Sequence, residues 1–376
     1  MIFTDTTEIK PKPKRIDFLD GLRGLAISMV VLFHISDHSR LLPSGGFNAV
    51  PMRVFWVGVQ LFFLISGFVI FMTLERCTGF RDFVYRRWLR LFPAMLVSSI
   101  IILAFDLATG LGPFANRSWS NLLPGITFIS PSIINTVTGV MIESMDGPYW
   151  TIYVEVMFYL VFGVVYMLSG ARAAMIAILS LYLVALGFGA AVTVGVSNSL
   201  FVRLAQAFRW LGFIYFGWFF NGALFYLAFQ SRRTGIFWSA VAFGSFLAIV
   251  ESPAAPLEYD LAVHVGLLLV VALFAAAVAL PAVQQAFSGR RLAFMGFISY
   301  PLYLVHNNIM LGLTDFVTAK LPTLPSPLAF VLPALVVIGA AFVIASNLEV
   351  WIRFQLRSAT TTFVHSFVRA AAVLRG

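Results

Sequence analysis

Long runs of apolar residues alternate with short polar segments along this chain. A membrane-spanning helix needs about 20 mainly apolar residues, and ten of the runs come close to that length. The pattern therefore predicts ten membrane-spanning helices and no domain outside the membrane. The predicted spans are residues 19–38, 54–74, 91–109, 149–168, 174–195, 209–229, 236–250, 261–281, 294–313 and 327–348.

Composition supports a membrane protein over a soluble one. Hydrophobic residues make up 60% of the 376 residues and charged residues 11%, whereas soluble domains have roughly 25% charged residues. We therefore expect an all-α polytopic membrane protein with about ten transmembrane helices in one bundle. The expected domains are a transmembrane domain over residues 1–350 and a cytoplasmic amphipathic tail over residues 351–376, where arginines stand among Trp, Phe and Val.

The basic residues predict the orientation of the bundle. Of the 25 Lys and Arg residues, 19 lie in the termini and in the connectors on the same side, and 6 lie on the other side. Because cytoplasmic segments carry the excess of Lys and Arg, both termini are expected in the cytoplasm. Topology thus accounts for the net charge of +9 without a nucleic-acid partner. The stretch Lys10 to Arg15 is expected to lie against anionic membrane lipid.

The first predicted helix carries two ionisable residues on one face. Arg23 and His34 are 11 residues apart. On a helix, their side chains therefore point in directions that agree within about 20°, and they lie about 16 Å apart along the helix axis. Arginine binds phosphate or carboxylate, and a neutral histidine can accept a proton. The pair therefore indicates an anion site and a general base. The alternatives are a buried pair that holds helices together, or an arginine that reaches to the interface.

A basic connector follows the second predicted helix. It contains Arg86, Arg87 and Arg90, and the last two share a helical face at i and i+3. Together with Tyr85 and Trp88 they would suit a phosphorylated, aromatic ligand such as a nucleotide. The alternative is topological, since a cytoplasmic loop is expected to be basic in any case.

Two further predicted spans contain polar residues that are costly in a membrane. Glu155 lies about two turns inside the fourth span and needs Arg, His or a proton as partner. Ser299, Tyr303 and His306 share one face of the ninth span at i, i+4 and i+7. His306 is either a second functional imidazole or a histidine satisfied in the core.

Several common chemistries find no support in the sequence. It contains no GxGxxG, GxxxxGK[ST], HExxH or GxSxG motif. The single cysteine, Cys77, excludes an intramolecular disulfide and a cysteine-based metal site. We therefore expect no metal cofactor.

Five segments resemble the acyltransferase-3 family of integral membrane acyltransferases, in order and at the family's spacing from about residue 16 to 310. Each segment alone is a weak pattern, and the five together are specific. They are LDGLRGLA with His34, GVQLFFLISGF (58–68), RRWLRLFP (86–93), WTIYVEVMFY (150–159) and ISYPLYLVH (298–306).

The resemblance implies transfer of an acyl group, commonly acetyl, from cytoplasmic acetyl-CoA to a hydroxyl of an envelope or exported glycan. Such acceptors include exopolysaccharide, O-antigen and lipo-oligosaccharide, free or lipid-linked, and the location implied is the bacterial cytoplasmic membrane. The family's motif residues fall on Arg23, His34, Arg87, Arg90, Trp150, Glu155, Ser299, Tyr303 and His306.

These residues suggest a division of roles. We expect Arg87 and Arg90, with Arg86 and Arg23, to bind the CoA phosphates, and His34 to deprotonate the acceptor hydroxyl. Glu155 or Asp37 would orient the imidazole, and Tyr303 or Ser299 would donate to the developing oxyanion. His306 and Arg23 complete the set of candidate catalytic residues.

Two other classes of function remain open from the sequence. A transporter or flippase of a lipid-linked glycan would also place Arg, His and Glu along a substrate pathway, although no paired repeat is visible. A structural partner in a polysaccharide export complex would tolerate loss of Arg23 and His34.

Overall fold

The computed structural model describes residues 16–39, 52, 54–113, 117–195, 198–251 and 261–360. Within these ranges the regular structure is entirely helical, which confirms the all-α prediction. Short 3₁₀ turns precede four of the helices, at Val54–Val57, Trp119–Asn121, Gly147–Tyr149 and Phe213–Tyr215. The helices are α1 (Asp17–Ser39), α2 (Gly58–Leu74), α3 (Phe80–Thr109), α4 (Leu122–Thr127), α5 (Pro131–Thr138), α6 (Trp150–Thr193), α7 (Ser199–Trp210), α8 (Phe216–Ser231), α9 (Thr234–Val250), α10 (Leu261–Ala279), α11 (Pro281–Phe287), α12 (Arg290–Val305), α13 (Asn308–Lys320), α14 (Ser326–Ala329) and α15 (Val331–Val343).

Each of the ten predicted spans lies mainly in helix, but the helices differ in length. In the described ranges, six helical segments are long and apolar enough to cross a membrane. A seventh is added if α7 and α8, which are bent by 62° relative to each other, form one broken span. Helix α9 is apolar but has 17 residues. The protein is an integral membrane protein, while ten crossings and cytoplasmic termini stay predictions.

The longest apolar segment supports two crossings. Gly147–Thr193 has 47 residues, which as one straight helix would extend about 70 Å, more than twice the roughly 30 Å of the hydrocarbon core. Gly170 interrupts it with φ 82° and ψ 176°, in a backbone region that glycine tolerates. This break falls within the predicted connector at 169–173.

Helix α1, which carries Arg23 and His34, packs most extensively against α12. Glycines allow this close approach, as is common between membrane helices. A Cβ on Gly24 would lie 2.3 Å from the carbonyl oxygen of Leu292, and one on Gly296 would lie 1.9 Å from that of Asp20. The two backbones therefore fix the register between the ionisable face of α1 and the polar face of α12.

Two interruptions shape the C-terminal part of the bundle. Helix α12 ends at Val305 and α13 begins at Asn308, so the break falls beside His306. Helix α15 continues through a π-helical turn, Ile344–Leu348, into helical residues 349–360. The domain boundary expected at residue 350 therefore falls inside a continuous helix and stays a prediction. Residues 361–376 of the expected tail, and the Lys10 to Arg15 stretch, lie outside the described residues.

Candidate active site

A narrow cavity of about 60 Å³ lies among α1, α2, α3, α6 and α12, and we call it the arginine pocket. Its polar lining includes Arg23, Arg90, Glu155, Ser299 and Tyr303. The structure thus brings together five of the predicted site residues, drawn from four helices. A cavity of this size holds a few water molecules or a thin, extended chain rather than a sugar ring.

The arginines around this pocket have unused hydrogen-bonding capacity. Arg23 Nη1 donates to Asp20 Oδ1 at 2.8 Å, and Arg87 Nη2 donates to Thr73 Oγ1 at 2.6 Å. Arg87 Nε and Nη1 are buried and have no hydrogen-bond partner among the described residues, while the guanidinium carbon lies 5.9 Å from the centre of the Tyr159 ring. The positive charges of Arg23 and Arg87 are each close enough to Arg90 to be repelled by it. Buried, unpaired donors with mutual repulsion favour binding of an anion with several acceptor oxygens.

Arg86 takes a different position from its neighbour Arg87. Its side chain is 55% exposed, and its Nε lies 2.6 Å from Asp82 Oδ1. Of the three arginines that the sequence groups together, only Arg90 lines the arginine pocket; Arg87 lies buried beside it, and Arg86 faces away from it.

Glu155 is held by hydroxyl groups. Ser66 Oγ and the Tyr159 hydroxyl both donate to its Oε1, and the carboxylate interacts electrostatically with Arg87. The structure thus gives Glu155 a place among the arginines, with partners other than His34. The role expected for it, orientation of the His34 imidazole, finds no contact in this geometry.

A second, larger cavity of about 340 Å³ lies on the other side of Tyr303, and we call it the histidine pocket. His34 and Asp37 line it from α1, and Asn307 lines it from the break after α12. Trp56 and Trp150 add aromatic walls. Its volume falls in the range of small-molecule sites, about 300–1,000 Å³.

The two predicted histidines meet at this pocket. The rings of His34 and His306 have centroids 5.0 Å apart and planes inclined by 57°. His306 is fully buried, whereas His34 is half-buried and faces the cavity. The structure thus joins a residue of the first predicted span to one of the ninth.

Tyr303 separates the two pockets and, like Val59, lines both. Its hydroxyl donates to the Pro148 carbonyl oxygen at 3.0 Å and accepts from Thr151 Oγ1 at 2.8 Å. Ser299 Oγ donates to a carbonyl oxygen of its own helix at 2.8 Å. Both predicted oxyanion donors are therefore engaged in the protein, and either must give up that bond to serve substrate.

Sequence reasoning missed Asp146, which lies in the connector before α6. Its fully buried carboxylate accepts from Asn307 Nδ2 at 2.7 Å, Asn308 N at 3.0 Å and Gly147 N at 2.7 Å. Burial raises the pKa of Asp146 to about 6, although these hydrogen bonds lower it. The signal in the sequence was an aspartate directly before a Gly-Pro pair, the position of a helix N-cap.

Fold and site together define a class of protein. It is an integral membrane protein with two cavities, one lined by arginines and one by a histidine, which meet at Tyr303. In the ranges that the structure describes, no group of three or more His, Cys, Asp or Glu side chains could hold a metal ion. Residues 16–346 match the family model Acyl_transf_3, described as an acyltransferase domain. The chain therefore belongs to the acyltransferase-3 family of membrane acyltransferases, which confirms the resemblance of its motifs.

Two curated relatives match shorter stretches. One is "Putative membrane-bound transacylase BcsY" of Komagataeibacter xylinus, 38% identical over 94 residues, which cover 24% of this chain and 20% of that protein. The other is "Putative peptidoglycan O-acetyltransferase YrhL" of Bacillus subtilis (strain 168), 35% identical over 92 residues, 22% of this chain and 13% of that protein. The matched stretches thus span a fifth or less of these relatives. No solved structure matches the chain.

Proposed function

We propose that this protein is a membrane O-acyltransferase that moves an acetyl group from cytoplasmic acetyl-CoA to a hydroxyl of an envelope or exported glycan. The observation that carries the proposal is the pair of cavities that meet at Tyr303, one lined by arginines and the other by His34. The relatives' names, a transacylase and a peptidoglycan O-acetyltransferase, support the reaction class.

The arginine pocket fits the acyl donor. Phosphate groups of acetyl-CoA supply the acceptor oxygens that the unpaired donors of Arg87 require, and Arg23 and Arg90 add positive charge at the pocket itself. The predicted orientation places Arg87 and Arg90 at the cytoplasmic face, where acetyl-CoA is available. The narrow cavity then suits the thin pantetheine arm, which would extend from the arginines toward Tyr303.

The histidine pocket fits the acceptor. Its volume accommodates a sugar ring, and Asp37 and Asn307 offer hydrogen bonds to sugar hydroxyls at its wall. His34 faces this space and lies about 16 Å along α1 from Arg23. Donor and acceptor thus approach from opposite directions and meet at the level of Tyr303 and His34.

His34 supplies the acid–base chemistry in this proposal. It takes the proton of the acceptor hydroxyl as the acceptor oxygen bonds to the acetyl carbonyl carbon. The carbon–sulfur bond of the thioester then breaks, and His34 returns the proton to the departing thiolate. The products are an acetyl ester and the free thiol of CoA, so no further reactant is needed.

The test uses labelled acetyl-CoA and membranes from a strain that carries the chain in place of its deleted chromosomal copy. Label in the glycan fraction is compared between wild type and His34→Ala at equal expression. General acid–base catalysis contributes about 10²–10⁴-fold, so we expect a loss of at least 100-fold. His264→Ala is the control, because His264 bonds to Ala248 on the neighbouring helix and lines neither pocket.

The outcomes separate the possible functions. Loss of label in His34→Ala alone supports the proposal. Equal labelling in wild type and His34→Ala would move the base to another residue. No labelling in wild type would reject acetyl transfer and favour a glycan transporter or flippase.

A further inference from the structure

His306 has a hydrogen-bonding state that its surroundings fix. Its Nδ1 lies 2.9 Å from the carbonyl oxygen of Tyr303. A carbonyl oxygen only accepts, so Nδ1 carries the hydrogen of this bond. In a neutral imidazole the other nitrogen, Nε2, is then a bare acceptor. That Nε2 is buried and has no partner among the described residues.

An unpaired buried acceptor is costly, and the structure places one suitable donor beside it. The His34 ring lies 5.0 Å from the His306 ring, centroid to centroid. A neutral His34 carries one N–H group, and at a centroid separation of 5.0 Å a His34 nitrogen turned toward His306 Nε2 lies within hydrogen-bonding distance of it. The bond would satisfy the orphan acceptor and select one of the two His34 tautomers.

We propose that His306 is a positioning residue, which accepts a hydrogen bond from one nitrogen of His34 and leaves the other nitrogen bare toward the histidine pocket. This inference rests on the proposed function, in which His34 is the base. A carboxylate in this place would bury a negative charge in the membrane domain, whereas a neutral imidazole orients its neighbour without that cost.

The surrounding chain holds His306 in position from both sides. Before it, the Tyr303 hydroxyl is bonded to Pro148. After it, Asn307 Nδ2 and Asn308 N donate to the buried carboxylate of Asp146. The turn before α6 thus holds the backbone on either side of the His306 imidazole. Asp146 contributes by accepting the hydrogen bonds of the two residues that follow His306.

The first test compares two variants of His306. His306→Leu removes the acceptor, whereas His306→Gln keeps an acceptor on its side-chain oxygen. We expect kcat for acetyl transfer to fall about 10–100-fold in His306→Leu, with the KM for acetyl-CoA unchanged, and to be restored in large part in His306→Gln. Two results would overturn the proposal. One is a wild-type kcat in His306→Leu, and the other is an equal loss of kcat in His306→Leu and His306→Gln when both proteins are folded.

A second measurement needs no folded variant of His306. Nitrogen chemical shifts of ¹⁵N-histidine-labelled wild type in lipid nanodiscs report which ring nitrogen carries hydrogen, and His34→Gln identifies its signal among the five histidines. We expect one His34 tautomer with a hydrogen-bonded N–H, and a freely mixed population would contradict the proposal. A single tautomer in a protein that transfers no acetyl group would reject the proposed function and leave this contact standing.

Discussion

The close contact between α1 and α12 makes Gly296 a sensitive position far from any reacting atom. A Cβ at this residue would lie 1.9 Å from the carbonyl oxygen of Asp20, while ordinary contact begins at 3.4 Å. Gly296→Ala must therefore separate the helices locally by about 1.5 Å. Since Asp20 is bonded to Arg23, the separation shifts the donor site relative to Tyr303 and the rest of α12. A displacement of about 1 Å can reduce catalysis about 10²-fold.

Acetyl transfer per folded molecule is the quantity to measure, with folding checked by size-exclusion chromatography and a thermal midpoint in detergent. We expect Gly296→Ala to lose about 100-fold in kcat/KM and, through overpacking, about 1–3 kcal/mol of stability. Gly187→Ala is the matched control, because a Cβ there would meet nothing within 4 Å. Full activity in a folded Gly296→Ala protein would refute the claim that helix register sets the site.

Two further predictions concern charges. Arg90→Ala should raise the KM for acetyl-CoA about 10–100-fold, because it removes one charge-assisted hydrogen bond of roughly 1.5–3 kcal/mol. Arg86→Ala is the control, because Arg86 is exposed and paired with Asp82, and its KM should stay as in wild type. Because burial raises the pKa of Asp146 from 3.8 to about 6, the folded protein binds a proton there that the unfolded chain releases. Wild-type stability should therefore fall by about 2 kcal/mol as the pH rises from 4 to 6. In Asp146→Asn this contribution disappears, and identical pH profiles of the thermal midpoint in both proteins would contradict the assignment.

Local sequence pattern was sufficient for features that depend on one helix. The helical period placed Arg23 and His34 on one face, and the apolar runs marked the membrane helices. The break at Gly170 also falls where the polar connector was expected. These features follow from backbone geometry and burial of apolar residues, which act over a few turns.

Contacts between helices could not be predicted in the same way. Glu155 was expected to need Arg, His or a proton as partner, and it does interact electrostatically with Arg87. Its hydrogen bonds, however, come from two hydroxyl groups, one of them on the remote Ser66. The approach of His306 to His34 depends on the glycine packing between α1 and α12. It also depends on the hydrogen bonds from Asn307 and Asn308 to Asp146. Such pairings join residues far apart in the chain, so the period of a single helix carries no information about them.

Supplying acetyl-CoA to one membrane face tests most directly whether the donor enters at the face of Arg87 and Arg90 and whether its acetyl group is then transferred through His34. Sealed inside-out and right-side-out vesicles, each with wild type or His34→Ala, receive labelled acetyl-CoA from outside, and label is counted in the glycan fraction. Transfer should occur in inside-out vesicles, which expose the face of Arg87 and Arg90, and should be lost in His34→Ala. Transfer confined to right-side-out vesicles, or transfer that persists without His34, would contradict the account.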